Sequence, residues 1–141
     1  TRPAYVANIA STGAYQSVPN MALYAASKAF VRNFSEALHD EHHGTPLSVT
    51  CICPGGTDTA FHAASGGGSY SWIADASTKS AEFVAHASIR AMLRRQRTVV
   101  PGLFNKLSCF GMRFVTRRFA SRLSTYVLGK PRLMLPNRQE A

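Results

Sequence analysis

The chain has 141 residues, of which 45% are hydrophobic and 10% aromatic, a composition typical of a globular domain and not of a disordered segment. No apolar run approaches the roughly 20 residues that a membrane-spanning helix needs, and no charged-then-apolar leader opens the sequence, so nothing in it indicates secretion. An apolar run begins close to Thr1, which leads us to expect that the chain is part of a longer protein.

The net charge of +9 is concentrated in the last third of the sequence. Residues 1–89 carry four Lys or Arg against six Asp or Glu, whereas residues 90–141 carry twelve against one. A basic segment of this kind can contact nucleic acid, an anionic membrane or an acidic protein. Because no nucleic-acid-reading motif accompanies the charge, we expect no nucleic-acid partner.

The three cysteines indicate a reducing compartment, and we expect a cytoplasmic protein. Cys51 and Cys53 lie in an apolar, β-branched run, where residues two positions apart share one face of a strand. A Cys-x-Cys pair without a second pair at zinc spacing is a weak metal signal, and the five histidines show no ligand spacing. We therefore predict buried, unreactive thiols and no metal site.

The first half of the chain is predicted to form a strand, a helix and a second strand. Residues 4–10 are mostly apolar, as expected for a strand covered on both faces, and residues 11–19 are a Ser-, Gly- and Pro-rich loop. Asn20 is a candidate helix cap, and the helix is expected to end at residues 44–46. Its apolar stripe consists of Leu23, Ala26, Phe30, Phe34 and Leu38. Residues 47–53 form a buried second strand, which completes a βαβ crossover with parallel strands.

The second half is predicted to hold a long loop and further helices. Residues 54–79 are rich in Gly and Ser, with Trp72 as the large anchor, and such a loop is often functional. A helix over residues 80–95 and a short strand over 98–100 follow. From Leu103 onward, apolar stripes with Arg at other positions predict one or two amphipathic helices. This basic tail either packs on the core or on another subunit, or contacts an anionic membrane near a lipid-like substrate.

Three polar residues are expected to meet at one edge of the sheet. Tyr24 and Lys28, at i and i+4, project from one face of the helix with β-carbons about 5–6 Å apart. An ammonium group that close stabilises the phenolate, so Tyr24 can act as a general acid or base. Ser11 ends the first strand, at the carboxyl edge where α/β folds bind ligands. Its hydroxyl can hold a substrate oxygen while Tyr24 moves a proton.

On these residues, the sequence resembles the second half of a classical short-chain dehydrogenase/reductase. The segments that carry the resemblance are N-I-A-S at 8–11, Y-A-A-S-K-A at 24–29 and C-P-G-G-T-D-T-A-F at 53–61. The resemblance implies a Rossmann-like, doubly wound α/β fold with a parallel sheet. We accordingly expect residues 1–102 to be the carboxyl-terminal half of such a domain, with a lid over 60–79, and residues 103–141 to be a basic helical tail.

The resemblance also implies a role for each matching residue. Tyr24 would be the acid/base, Lys28 would assist it and bind the nicotinamide ribose, and Ser11 would orient the carbonyl. The cofactor, NAD or NADP, would be contacted by Tyr24, Lys28, Pro54, Gly55, Thr57 and Thr59. The substrate would be contacted by Ser11, Gln16, Val18 and Trp72.

The sequence also departs from the family pattern, because it contains neither a T-G-x-x-x-G-x-G phosphate-binding turn nor an N-N-A-G strand end. We therefore expect the carboxyl-terminal half of a longer NAD(P)-dependent oxidoreductase that interconverts a carbonyl and an alcohol and is inactive as this piece alone. The expected partners are a small-molecule carbonyl or alcohol, and further copies of the chain. The alternative is a non-catalytic basic module, on a degenerate scaffold, that contacts a membrane surface or another protein.

Overall fold

The sheet of this protein is parallel, as the sequence predicted. A computed structural model describes residues 2–58 and 77–128 of the chain. Strands β1 (Ala4–Ile9), β2 (Leu47–Ile52) and β5 (Thr98–Val99) lie in the order β1-β2-β5, and both neighbouring pairs are parallel. The α/β class is confirmed. The large apolar residues of the predicted lid and the end of the tail lie outside the described residues; the lid residues are Phe61, Tyr70, Trp72 and Ile73.

Helix α1 (Ala22–Glu41) connects β1 to β2 and forms the predicted crossover. Alternating small, apolar and β-branched residues keep β2 buried along almost its whole length, because helices pack against the sheet on both sides. Ala10, Cys51 and Cys53 form the centre of the core, with Tyr15, Val31 and Val100 packed around them. The two strands therefore end side by side in the interior.

The apolar stripe predicted for α1 does not face the sheet. Leu23 is 84% exposed, and Phe30 and Phe34, whose ring centroids stack 5.8 Å apart, are exposed as well. The face against β1 carries the fully buried Ser35 instead, whose hydroxyl accepts a hydrogen bond from Asn8 Nδ2 at 2.9 Å. The small side chain of Ser35 lets the helix lie close to the strand. The apolar stripe of α1, which is its most regular sequence pattern, therefore does not mark the face that packs on the sheet.

Two further expectations are wrong. The sequence predicted that β1 is covered on both faces, whereas its side chains Tyr5, Val6 and Ile9 are exposed. Among the described residues, β1 is also an edge strand, paired with β2 alone. Asn20 does not cap α1. It adopts a φ of 68°, a left-handed conformation that asparagine tolerates, and the residue at the cap position is Met21, which makes no side-chain cap bond.

The segment after β2 contains one pairing that the sequence did not indicate. Strand β3 (Thr57–Asp58) pairs in parallel with β4 (Lys79–Ser80), so both ends of the long predicted loop are held together. Helix α2 (Ala81–Leu93) then begins at Ser80, whose hydroxyl accepts a hydrogen bond from the Phe83 amide at 3.2 Å.

The tail forms two helices, as predicted for this part of the sequence. They are α3 (Leu103–Gly111) and α4 (Arg117–Leu128), and a 3-10 turn (Met112–Phe114) follows α3. Their buried residues are small or polar: Asn105, Cys109, Ala120 and Ser124. None of the helices among the described residues combines the length and the apolar character needed to cross a bilayer.

Candidate active site

The carboxyl ends of β1 and β2 meet at the position where the sequence placed its functional residues. The backbone amide of Ala10 donates to the carbonyl of Ile52 at 2.7 Å, and that of Thr12 donates to the carbonyl of Pro54 at 2.9 Å. These two hydrogen bonds extend the parallel ladder beyond the strands. They therefore place Ser11 beside the Pro54–Gly55 turn.

Ser11 begins the 3-10 turn of residues Thr12–Tyr15, with its hydroxyl held in place. Ser11 Oγ accepts a hydrogen bond from the Gly13 amide at 3.1 Å, and the residue is 8% exposed. The hydroxyl keeps its own proton for donation, because in this bond its oxygen is the acceptor. Ser11 can therefore donate a hydrogen bond to a carbonyl oxygen without a rearrangement of its backbone.

Tyr24 and Lys28 lie on one face of α1, next to Ser11. A β-carbon placed on Gly13 would lie 3.5 Å from Tyr24 Cε1 and 3.6 Å from Ser11 Oγ, so the tyrosine ring and the serine hydroxyl approach the same point from two sides. Lys28 Nζ lies 5.8 Å from the centroid of the Tyr24 ring and donates to the carbonyl of Ile9 at 3.0 Å. The structure thus brings together the three side chains that the sequence selected.

The Pro54–Gly55 turn is packed against the tail. A β-carbon on Gly55 would lie only 2.5 Å from Asn105 Nδ2, so no side chain fits at this position. Asn105 is buried and donates from Nδ2 to the carbonyls of Ser77 at 2.9 Å and Pro101 at 3.1 Å. Its amide thus connects the end of the long loop and the end of β5 behind the turn. No local sequence pattern marks Asn105, because its contact with Gly55 and its hydrogen bond to Ser77 join distant parts of the chain.

The remaining predicted cofactor and substrate residues have different surroundings. Thr57 Oγ1 donates to the carbonyl of Gly55 at 3.3 Å, within the predicted cofactor loop. Gln16 Nε2 donates to Ser124 Oγ at 3.0 Å, which connects the loop after Ser11 to α4. Val18 is buried nearby. Thr59 and Trp72, predicted to contact cofactor and substrate, lie outside the described residues.

A groove of about 410 Å³ lies between this loop, α1 and the tail. Its lining is mostly small and apolar and includes Val18, Ala26, Ala29, Met112 and Val115. Ser11 and Tyr24 do not line it. The groove is therefore separate from the point at which the two hydroxyl-bearing side chains converge.

Tyr15 and Arg32 form a half-buried electrostatic pair that sequence reasoning missed. The Arg32 guanidinium lies 4.2 Å from the centroid of the Tyr15 ring and donates to the carbonyl of Ala14 at 3.3 Å. Burial, reinforced by the neighbouring thiol of Cys53, raises the pKa of Tyr15 far above its ordinary value. Tyr15 also packs against the core residues Ala10, Cys51 and Cys53.

The thiols lie in the core. Cys51 Sγ and Cys53 Sγ are 3.7 Å apart, on one face of the strand end, and the hydrogen bond to Cys53 together with burial raises the pKa of Cys51. Burial also raises the pKa of Cys109, to about 11. Within residues 2–58 and 77–128, no group of three or more His, Cys, Asp or Glu side chains is arranged to hold a metal ion.

Comparison with known proteins finds similar sequences for the first half of the chain. Residues 2–68 match the family model described as short chain dehydrogenase. This match covers 67 of the 141 residues, and over them the chain is similar to short-chain dehydrogenases. Over 76 residues, the chain is 43% identical to a Streptomyces coelicolor protein named "Putative ketoacyl reductase", and over 60 residues it is 42% identical to "Alcohol dehydrogenase 1" of Ceratitis cosyra.

The match covers different shares of each chain. The alignments span 54% and 41% of this chain but only 29% and 23% of the two relatives. A solved structure from a study of 7β-hydroxysteroid dehydrogenase stereoselectivity superposes on 84% of the chain with a TM-score of 0.70 and 24% identity, and the superposition covers 46% of that structure. This likeness confirms the Rossmann-like fold.

Proposed function

We propose that the protein is an NAD(P)-dependent oxidoreductase that interconverts a carbonyl and an alcohol, with Tyr24 as its acid/base. One observation carries the proposal: the Tyr24 ring and the Ser11 hydroxyl approach a common point beside Gly13, with the Lys28 ammonium next to them. Both side chains thus border one small space at the carboxyl edge of the sheet, where we expect the carbonyl oxygen to bind. The match of residues 2–68 to the family model and the names of the two relatives support this class of reaction.

In carbonyl reduction, each of the three residues has a distinct task. Ser11 donates a hydrogen bond to the carbonyl oxygen, which fixes its position and polarises the bond. Tyr24 donates its phenolic proton to that oxygen as negative charge develops on it, and takes the proton back when an alcohol is oxidised. Lys28, held by the Ile9 carbonyl, keeps a positive charge near the phenolate that is left behind.

The described residues fit the nicotinamide end of the cofactor. When bound, the cofactor supplies or accepts the hydride at the carbonyl carbon. Lys28 uses one of its three N–H groups on Ile9, so two remain for the ribose hydroxyls. Pro54, Gly55 and Thr57 form the turn that ends beside Ser11, on which we expect the nicotinamide ring to lie. The sequence alone does not select between NAD and NADP.

Further copies of the chain are the expected protein partner. The stacked Phe30 and Phe34 and the exposed Leu23 give α1 an uncovered apolar strip, which supports an expectation of homo-oligomer formation. The substrate is expected to be a small carbonyl or alcohol compound, lipid-like in character. These are proposals for the protein at its full natural length.

The direct test is to measure oxidation of NADH and NADPH by the full-length protein against a panel of ketones, with Tyr24→Phe as the variant. General acid/base catalysis typically contributes 10²–10⁴-fold, so we expect a loss of about that size. Tyr126→Phe is the matched control, because Tyr126 is exposed on α4 and loses the same hydroxyl. An unchanged rate in Tyr24→Phe contradicts the assignment. The non-catalytic alternative predicts no turnover by the native protein with any ketone.

A further inference from the structure

One side of the tail exposes a group of large apolar residues. Leu103 and Phe114 are 73% and 76% exposed, and Leu107 and Phe110 are exposed between them. With the cations Lys106 and Arg113, these residues define what we term the α3 surface. Folding leaves this apolar area in water, and a contiguous apolar patch on a protein surface usually marks a contact with a partner.

The α3 surface is continuous because of helical geometry and ring contacts. Leu103, Leu107 and Phe110 follow one another at i, i+4 and i+7, on the side of α3 opposite the buried Asn105 and Cys109. Phe114 extends the patch, since its ring meets that of Phe110 edge to face at a centroid distance of 5.3 Å. The face is therefore one surface and not a scatter of single residues.

The charge of the α3 surface has a single sign. Arg113 lies 5.9 Å from the centroid of the Phe110 ring, and Lys106 lies between Leu103 and Leu107 along the helix. Neither cation forms an ion pair within the described part of the chain. The sequence contains no Asp or Glu from residue 83 to residue 139. A partner for this surface must therefore be anionic as well as able to accept apolar side chains.

We propose that the α3 surface docks on an anionic lipid bilayer. A second copy of the chain is a poor occupant, because a two-fold contact would bring Lys106 and Arg113 against the same cations. A bilayer meets both requirements at once: Leu and Phe side chains enter the boundary between headgroups and acyl chains, while Lys and Arg remain among the anionic headgroups. This inference goes beyond the proposed reaction and does not depend on it.

The test is sedimentation of the full-length protein with two kinds of vesicle: phosphatidylcholine alone, and phosphatidylcholine with about a third phosphatidylglycerol. On the anionic vesicles, each Lys or Arg at the membrane surface should raise the affinity about fivefold. We expect binding to the anionic vesicles only, and weaker binding at higher salt. The double variant Lys106→Gln/Arg113→Gln should lower the affinity about 25-fold, which is fivefold for each cation. Phe114→Ser should lower it about tenfold through lost apolar burial.

Matched controls separate this surface from general attraction and from misfolding. Arg90→Gln/Arg94→Gln removes the same charge from the end of α2, and Leu23→Ser removes an exposed apolar residue from α1. Both should retain most of the binding. The proposal is overturned if the control variants lose as much affinity as the α3 variants, if binding is equal on neutral vesicles, or if light scattering shows that Phe114→Ser dissociates an oligomer and leaves vesicle binding unchanged.

Discussion

Gly55→Ala probes how tightly the tail is packed against the predicted cofactor loop. The added β-carbon would lie 2.5 Å from Asn105 Nδ2, 2.7 Å from Cγ and 2.8 Å from Oδ1, so it collides with the whole amide group. Asn105 cannot simply turn away, because it is buried and donates to the carbonyls of Ser77 and Pro101. Either the amide gives up these bonds or the turn moves.

The size of the effect follows from those contacts. Two lost hydrogen bonds cost about 1 kcal/mol each, and overpacking a well-packed site costs about 1–3 kcal/mol. Since one or the other occurs, we expect Gly55→Ala to lower the free energy of unfolding by about 1–3 kcal/mol. Gly111→Ala is the control, since a β-carbon there meets nothing within 4 Å. It should be neutral or stabilising by up to about 1 kcal/mol, because alanine favours the helix.

A double-mutant cycle makes the test specific to the contact. Asn105→Ala alone should cost about 2 kcal/mol for the same two hydrogen bonds. In Gly55→Ala/Asn105→Ala the collision is gone, so the combined loss should be smaller than the sum of the single losses by about 2 kcal/mol. Urea unfolding of the four proteins at full natural length measures each free energy. Additive losses, or a neutral Gly55→Ala, refute the packing argument.

Three further predictions concern pH, thiol reactivity and the tail. The Arg97 guanidinium donates to Asp40 and lowers the pKa of that carboxyl. The ionised Asp40 therefore stabilises the folded protein above about pH 4, and this stabilisation is lost as the pH falls. When urea unfolding at neutral pH is compared with unfolding at about pH 3, the free energy of unfolding should fall less for Arg97→Gln than for the native protein. Alkylation of native Cys109, whose pKa burial raises to about 11, should be far slower at neutral pH than in denaturant, and fast native labelling would contradict this. Gln16→Ala should destabilise by about 1 kcal/mol through its lost bond to Ser124, whereas an unchanged unfolding midpoint would assign Gln16 no structural role.

The candidate site residues could be placed from the sequence because their relation is local. Tyr24 and Lys28 share a helix face by their spacing, and Ser11 lies near them because only residues 10–21 separate β1 from α1. The parallel pairing of β1 and β2 follows from the strand–helix–strand order. These relations need only the geometry of a helix, a strand and a crossover.

Sequence alone thus determined the α/β class, the crossover and the convergence of Ser11, Tyr24 and Lys28, since each depends on backbone periodicity within about twenty residues. Only the tertiary structure decided that Ser35, and not the Phe30–Phe34 stripe, faces the sheet. It also decided that Asn105 occupies the space that a side chain at Gly55 would need. The physical reason is that close packing matches the shapes of side chains from distant segments, and hydropathy along the chain carries no record of that match.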